Sequence, residues 1–96
     1  MPDVEDVLKE VDRNMPTTIE KLLDLISIPS ISSDPIGKPG IEQAARWLQA
    51  ELSAIGFEAR IVTTPGHPLI LAHAGGTTMA DTAGLLFYGH YDVQPV

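Results

Sequence analysis

Val4, Val7, Leu8 and Val11 recur at i, i+3, i+4 and i+7 with charged residues between them, so residues 3–13 are expected to form a short amphipathic helix. Asp3 stands where an N-cap belongs. Pro16 interrupts the pattern. Thr17 and Glu20 then have capping-box spacing, and Ile19, Leu22, Leu23 and Ile26 carry a second stripe, which predicts a separate helix over 17–27. That helix should end ahead of Pro29, because the residue before a proline is pushed out of the α region. The strongest stripe is Ile41, Ala44, Ala45, Leu48, Leu52 and Ile55, with Glu42, Gln43, Arg46, Gln49 and Ser53 mostly away from it. It predicts a helix over 40–55. Glu42 suits the positive end of that helix, Trp47 on its flank is a packing residue, and Gly56 suits the position just past its last turn.

Between the helical stripes, residues 27–40 (SIPSISSDPIGKPG) are rich in Ser, Pro and Gly and read as a loop. The apolar Ile28, Ile31 and Ile36 argue that it lies over the core and is not a linker. After Gly56 the period shortens to two. Phe57, Ala59, Ile61 and Thr63 share one side of a strand over 57–63, and Pro65-Gly66 marks a turn into a second strand over 68–74, so a hairpin is expected. Gly75-Gly76-Thr77-Thr78 opens a polar loop. Residues 84–90 should form a third strand, apolar on both faces (Leu85 and Phe87, Leu86 and Tyr88) and therefore interior. The expected fold is α/β, a mixed sheet with packed helices, in one domain over residues 1–96.

Composition narrows the function. With 96 residues, 44% hydrophobic and 20% charged, the chain has enough apolar content for one small core. Thirteen acidic against six basic residues leave a net charge of −7, which disfavours nucleic acid and anionic membrane as partners. No cysteine is present, so disulfides and thiolate ligands are excluded. No apolar run approaches the ~20 residues of a membrane span, and the acidic start lacks the basic and apolar regions of a signal peptide. The cytoplasm is the expected location. There is no G-x-S-x-G, phosphate loop or dinucleotide fingerprint.

The chemistry concentrates at His90 and Asp92, placed two residues apart where the apolar run 85–88 gives way to a turn. Ligands in open α/β sheets gather beyond the carboxyl ends of strands. A neutral imidazole binds metal through one nitrogen while the other donates to a carboxylate that sets its tautomer. In an ideal strand, side chains at i and i+2 stand roughly 7 Å apart, so direct contact needs a bend at Gly89 or after Tyr91. The bland alternative is a strand-end histidine beside a solvated aspartate. His67, in the hairpin turn, reads as solvated. His73, on a strand face with Leu69 and Leu71, reads as half-buried. Glu42, Glu51, Glu58 and Asp81 read as surface charges.

Gly89-His90-Tyr91-Asp92-Val93-Gln94-Pro95, following the apolar run 85–88, resembles the first metal-site motif of the zinc-dependent M20 peptidases, and most closely their dipeptidase branch. The paired N-terminal helices, the Ile28-Pro29-Ser30-Ile31-Ser32 loop, the helix closing on Gly56-Phe57 and the strand over 68–74 follow that family's order. The resemblance covers essentially the whole chain but only the N-terminal part of the family's zinc-exopeptidase-like catalytic domain. It implies that His90 is the first zinc ligand and that Asp92 is the catalytic aspartate orienting it. It also implies two zinc ions in the complete enzyme and hydrolysis of an amide bond in a small peptide or N-acyl amino acid. The family's bridging aspartate, glutamate pair, further carboxylate and final histidine have no counterpart here, so the expectation is an inactive fragment with weak or no zinc binding. The rival expectations are a small acidic interaction domain and one part of a split enzyme. A homo-oligomer formed through the apolar strand 85–90 is also expected.

Overall fold

A computed structural model describes residues 3–74 and 84–95 of the chain. Its elements are α1 (Val4–Ser27), a 3-10 turn (Pro35–Gly37), α2 (Lys38–Ala54), β1 (Glu58–Val62) and β2 (Leu69–His73), a small α/β arrangement.

The expected pair of N-terminal helices is one continuous helix of 24 residues that carries Pro16 inside it. Val11, Met15, Ile19, Leu22, Leu23 and Ile26 keep helical phase across the proline. One missing N–H therefore does not outweigh the uninterrupted period on either side. Thr17 lies within the helix and caps nothing. Asp3 is the N-cap as expected: its carboxylate accepts from the Asp6 amide at 2.9 Å, and Asp6 completes a capping box. At the other end Ile28 is extended (φ −76°, ψ 126°), as a residue ahead of Pro29 should be. Lys21 Nζ reaches Glu51 Oε2 of α2 at 3.0 Å. The apolar stripe of α1 is nonetheless left open, with residues from Val4 to Ile26 along it 42–74% exposed.

The core lies where α2 starts. Gly40, Ile41, Ala44 and Ala45 are buried there, while Leu48 and Leu52 are half-buried and Ile55 is exposed. The helix begins a little earlier than expected because the 3-10 turn feeds directly into it. Asp34 starts that turn by accepting from the Ile36 amide at 3.0 Å. Ile36 itself is exposed and takes no part in the core, contrary to its expected role, whereas Ile28 is buried. Two glycines let the loop approach α2 backbone to backbone. A Cβ on Gly37 would collide with the Ile31 carbonyl, and one on Gly40 with the Pro29 carbonyl.

Gly56, at φ 101°, turns the chain out of α2 into the hairpin. The strands β1 and β2 are antiparallel, pairing Ala59 with Ala72 and Ile61 with Ile70. Those four residues form the half-buried face towards α2, and Gln49 Nε2 of α2 donates to the Ala59 carbonyl at 3.1 Å. Leu69, Leu71 and His73 lie on the open face, so His73 is exposed and not half-buried. The connecting turn is closed by Thr64 Oγ1, which donates to the His67 carbonyl at 2.6 Å and accepts from the Gly66 amide at 3.0 Å.

Residues 84–90 are not a strand, and Leu85, Leu86, Phe87 and Tyr88 are 85–96% exposed. A strand apolar on both faces needs a ladder partner and two covering layers, and the two-stranded sheet supplies neither at this place. The expected mixed sheet is likewise an antiparallel pair. Among the described residues parallel pairing is confined to a single bridge, Ile31 with Val93. The expected loop at Gly75-Gly76-Thr77-Thr78 and Asp81 lie outside the described residues.

Candidate metal centre

The segment carrying His90 and Asp92 is seated on the loop that follows α1. Ser30 is fully buried, and its backbone and side chain are both occupied. Its amide donates to the Ile28 carbonyl at 2.7 Å, its carbonyl accepts from the Val93 amide at 2.9 Å, and its hydroxyl donates to the Tyr91 carbonyl at 3.4 Å. Ile31 forms a parallel bridge with Val93 in the same register, and the Ser32 hydroxyl donates diagonally across it to the Asp92 carboxylate.

The hairpin turn braces the same place from the other side. Tyr91 Oη donates to the Pro68 carbonyl at 2.6 Å, and His67 Nε2 donates to the Ser32 carbonyl at 2.9 Å. His67 is thus exposed but engaged, a structural tie where the sequence pointed to plain solvation.

His90 Nδ1 and Asp92 Oδ1 are 2.8 Å apart. The two side chains meet because 90–92 does not follow a flat strand, which would hold them roughly 7 Å apart. Asp92 Oδ2 accepts from the Ser32 hydroxyl. The Ser32 hydroxyl first, and the His90 ring second, hold the Asp92 carboxyl below the usual carboxylate range. Partial burial, and then the charge of Asp92, push the Tyr91 phenol up. The result is an ionised carboxylate, 27% exposed, backing an imidazole that is 78% exposed.

An anionic acceptor at Nδ1 keeps a proton on that nitrogen and leaves the Nε2 lone pair for a metal. The donor chemistry therefore fits one histidine ligand of a zinc-type ion with its orienting carboxylate. Among the described residues no three His, Cys, Asp or Glu gather to enclose an ion. His73 instead lies 3.6 Å from Glu58 Oε2 across the hairpin.

Ser30, Ser32 and Tyr91 were not singled out as site residues from sequence. A serine pair two residues apart in an extended loop can turn both hydroxyls towards one neighbouring segment. Nothing local, however, marks that neighbour as the one that follows His90.

No family model matches the chain, and no solved structure matches it. The chain is similar to the Cys-Gly metallodipeptidase DUG1 of Candida albicans, 31% identical over 105 residues that take in 96% of the chain and 21% of that relative. It is also similar to the protein of the same name in Saccharomyces cerevisiae, 30% identical over 102 residues, covering 93% of the chain and 21% of the relative. The Schizosaccharomyces pombe dug1 protein is 26% identical over 96% of the chain. The chain spans about one fifth of the length of these curated relatives.

Proposed function

We propose that this chain carries part of the metal centre of an M20-type dipeptidase, with His90 as a zinc ligand and Asp92 as the carboxylate that orients it. The observation that carries the reading is the 2.8 Å His90 Nδ1–Asp92 Oδ1 hydrogen bond, made to a carboxylate that stays ionised. Similarity to three metallodipeptidases along nearly the whole chain supports it. The substrate class is a small peptide, of which the Cys-Gly in the relatives' names is one instance, or an N-acyl amino acid.

The chemistry that a bound zinc pair supplies is polarisation of the scissile carbonyl and activation of a water. The part of this chain is narrower. His90 presents Nε2, Asp92 holds the proton at Nδ1, and Tyr91 and Val93 anchor the peptide between them to Pro68 and Ser30. The remaining ligands and a general base come, in this reading, from residues outside the cluster. The 96 residues by themselves then bind zinc weakly and turn over no dipeptide.

In this reading the exposed Leu85–Tyr88 stretch is the surface through which copies of the chain associate. No described helix is long and apolar enough to cross a membrane, and in this reading the protein works in the cytoplasm.

The test replaces the matching stretch of the S. cerevisiae relative with this chain and follows Cys-Gly hydrolysis and zinc content. His90→Ala should abolish both turnover and tight zinc at one position. Asp92→Asn should keep the fold and lower the rate by about 10–100-fold. Zinc content and rate unaffected by His90→Ala would end the proposal.

A further inference from the structure

The His90 ring projects from a stretch that pairs with no strand among the described residues, is largely exposed, and hydrogen-bonds to Asp92. A carboxylate alone is a loose guide for such a ring. Rotation about its terminal bond exchanges the two oxygens, and either one can turn to water. Something must hold Asp92 for Asp92 to hold His90.

Ser32 is placed to do so. Its hydroxyl donates to Oδ2, the oxygen that His90 does not use. Its backbone is fixed from several directions. The Ser32 carbonyl accepts from His67 Nε2 at 2.9 Å, the preceding Ile31 is bridged to Val93, and the Ile31 carbonyl lies against Gly37 without room for a Cβ. The loop bearing Ser32 is therefore the anchored partner and the His90 ring the guided one.

We infer that Ser32 is a positioning residue: by occupying Oδ2 it locks the Asp92 carboxylate so that Oδ1 faces His90, which holds the imidazole as the Nδ1–H tautomer with Nε2 free. The significance of that tautomer for metal binding rests on the functional reading above. The hydrogen-bond relay itself does not. A serine hydroxyl is apt for this role because its single proton selects one carboxylate oxygen, while its lone pairs compete weakly for the His90 proton.

The test measures the His90 tautomer in the metal-free chain from the nitrogen-15 shifts of its ring, at a pH where the ring is neutral. Asp92→Asn sets the limit in which orientation is lost. Wild type should show His90 mainly as Nδ1–H. Ser32→Ala should lower the ratio of Nδ1–H to Nε2–H about threefold, the support that one hydrogen bond of ordinary net strength gives. Ser32→Thr, which keeps the hydroxyl, should restore it. Ser32→Cys, similar in size but a weak donor, should behave like Ser32→Ala and so separates bonding from packing. An unchanged ratio in both Ser32→Ala and Ser32→Cys would overturn the assignment, as would failure of Ser32→Thr to restore it in a chain with native amide shifts. Zinc content of the chimera with the S. cerevisiae relative gives a separate answer. A Ser32-dependent tautomer beside a chimera whose zinc content is unmoved by His90→Ala upholds the relay and removes the metal reading. A tautomer independent of Ser32 beside zinc content that falls in His90→Ala removes the relay and keeps the metal reading.

Discussion

The amide of Val93 donates to the carbonyl of Ser30 at 2.9 Å, and Ser30 is fully buried. A carbonyl in that position has no water to turn to, so Val93 is its required partner. The bond also sets register. With Val93 on Ser30, Ile31 bridges Val93, and Ser32 meets Asp92. The position of the His90–Asp92 pair is thus decided by a loop far away in sequence, and the buried carbonyl and hydroxyl of Ser30 in that loop are satisfied by the segment that carries the pair.

Removing the Val93 amide should therefore expose the coupling. Val93→Pro leaves the Ser30 carbonyl without a partner and should destabilise the chain by about 1–3 kcal/mol. Val93→Ala keeps the amide and trims a half-buried side chain, so it should cost less. Urea unfolding midpoints compare the two. If Val93→Ala costs as much as Val93→Pro, the side chain and not the amide holds the segment.

The approach of α2 to the same loop makes a second prediction. A Cβ at Gly40 would strike the Pro29 carbonyl, which is backbone and cannot swing aside. Gly40→Ala should cost about 1–3 kcal/mol, although alanine is the better helix former at an unobstructed site. Gly66→Ala is the control, because the nearest atom to its Cβ would be Thr64 Oγ1 at 3.8 Å. That variant should unfold within about 0.5 kcal/mol of wild type. Equal losses at the two glycines would mean that helix α2 does not lie against the loop as described.

What could be read from sequence alone was whatever has a local cause. The stripe from Ile41, Gly56 past its end, the Pro65-Gly66 turn and the period-two strands all depend on neighbours within a few residues, and α2 and the hairpin form close to where they were expected. Asp3 as a cap has the same origin. Pro16 does not end α1, because a breaker acts locally while helical phase is shared by the whole stripe. The apolar run 84–90 departs from its expected strand for the opposite reason. Apolarity on both faces states a need for cover but cannot show that a neighbouring strand is there to pair with. The site divides in the same way. His90 and Asp92 are two residues apart and were legible as a pair, whereas Ser32 lies 60 residues from Asp92 and became visible only through the Ile31–Val93 register.

The charge of Asp92 makes the last prediction, because it ties the site to stability. Its carboxyl is held below the usual carboxylate range in the folded chain, so the folded state favours the ionised form more than the unfolded state does. The sign follows directly. Asp92 contributes stability in full above its ordinary unfolded-state value, and the contribution is lost as pH falls through the lower folded-state value. Unfolding of wild type and Asp92→Asn should therefore differ above the ordinary carboxylate range and converge as pH falls through the acid range. The Ser32 hydroxyl and the His90 ring both lower the carboxyl's value, so Ser32→Ala and His90→Ala should each move the Asp92 titration upward. Carboxyl carbon-13 shifts of Asp92 followed through the acid range give both titrations directly. An Asp92 titration unmoved by Ser32→Ala would show that the serine does not hold the carboxylate.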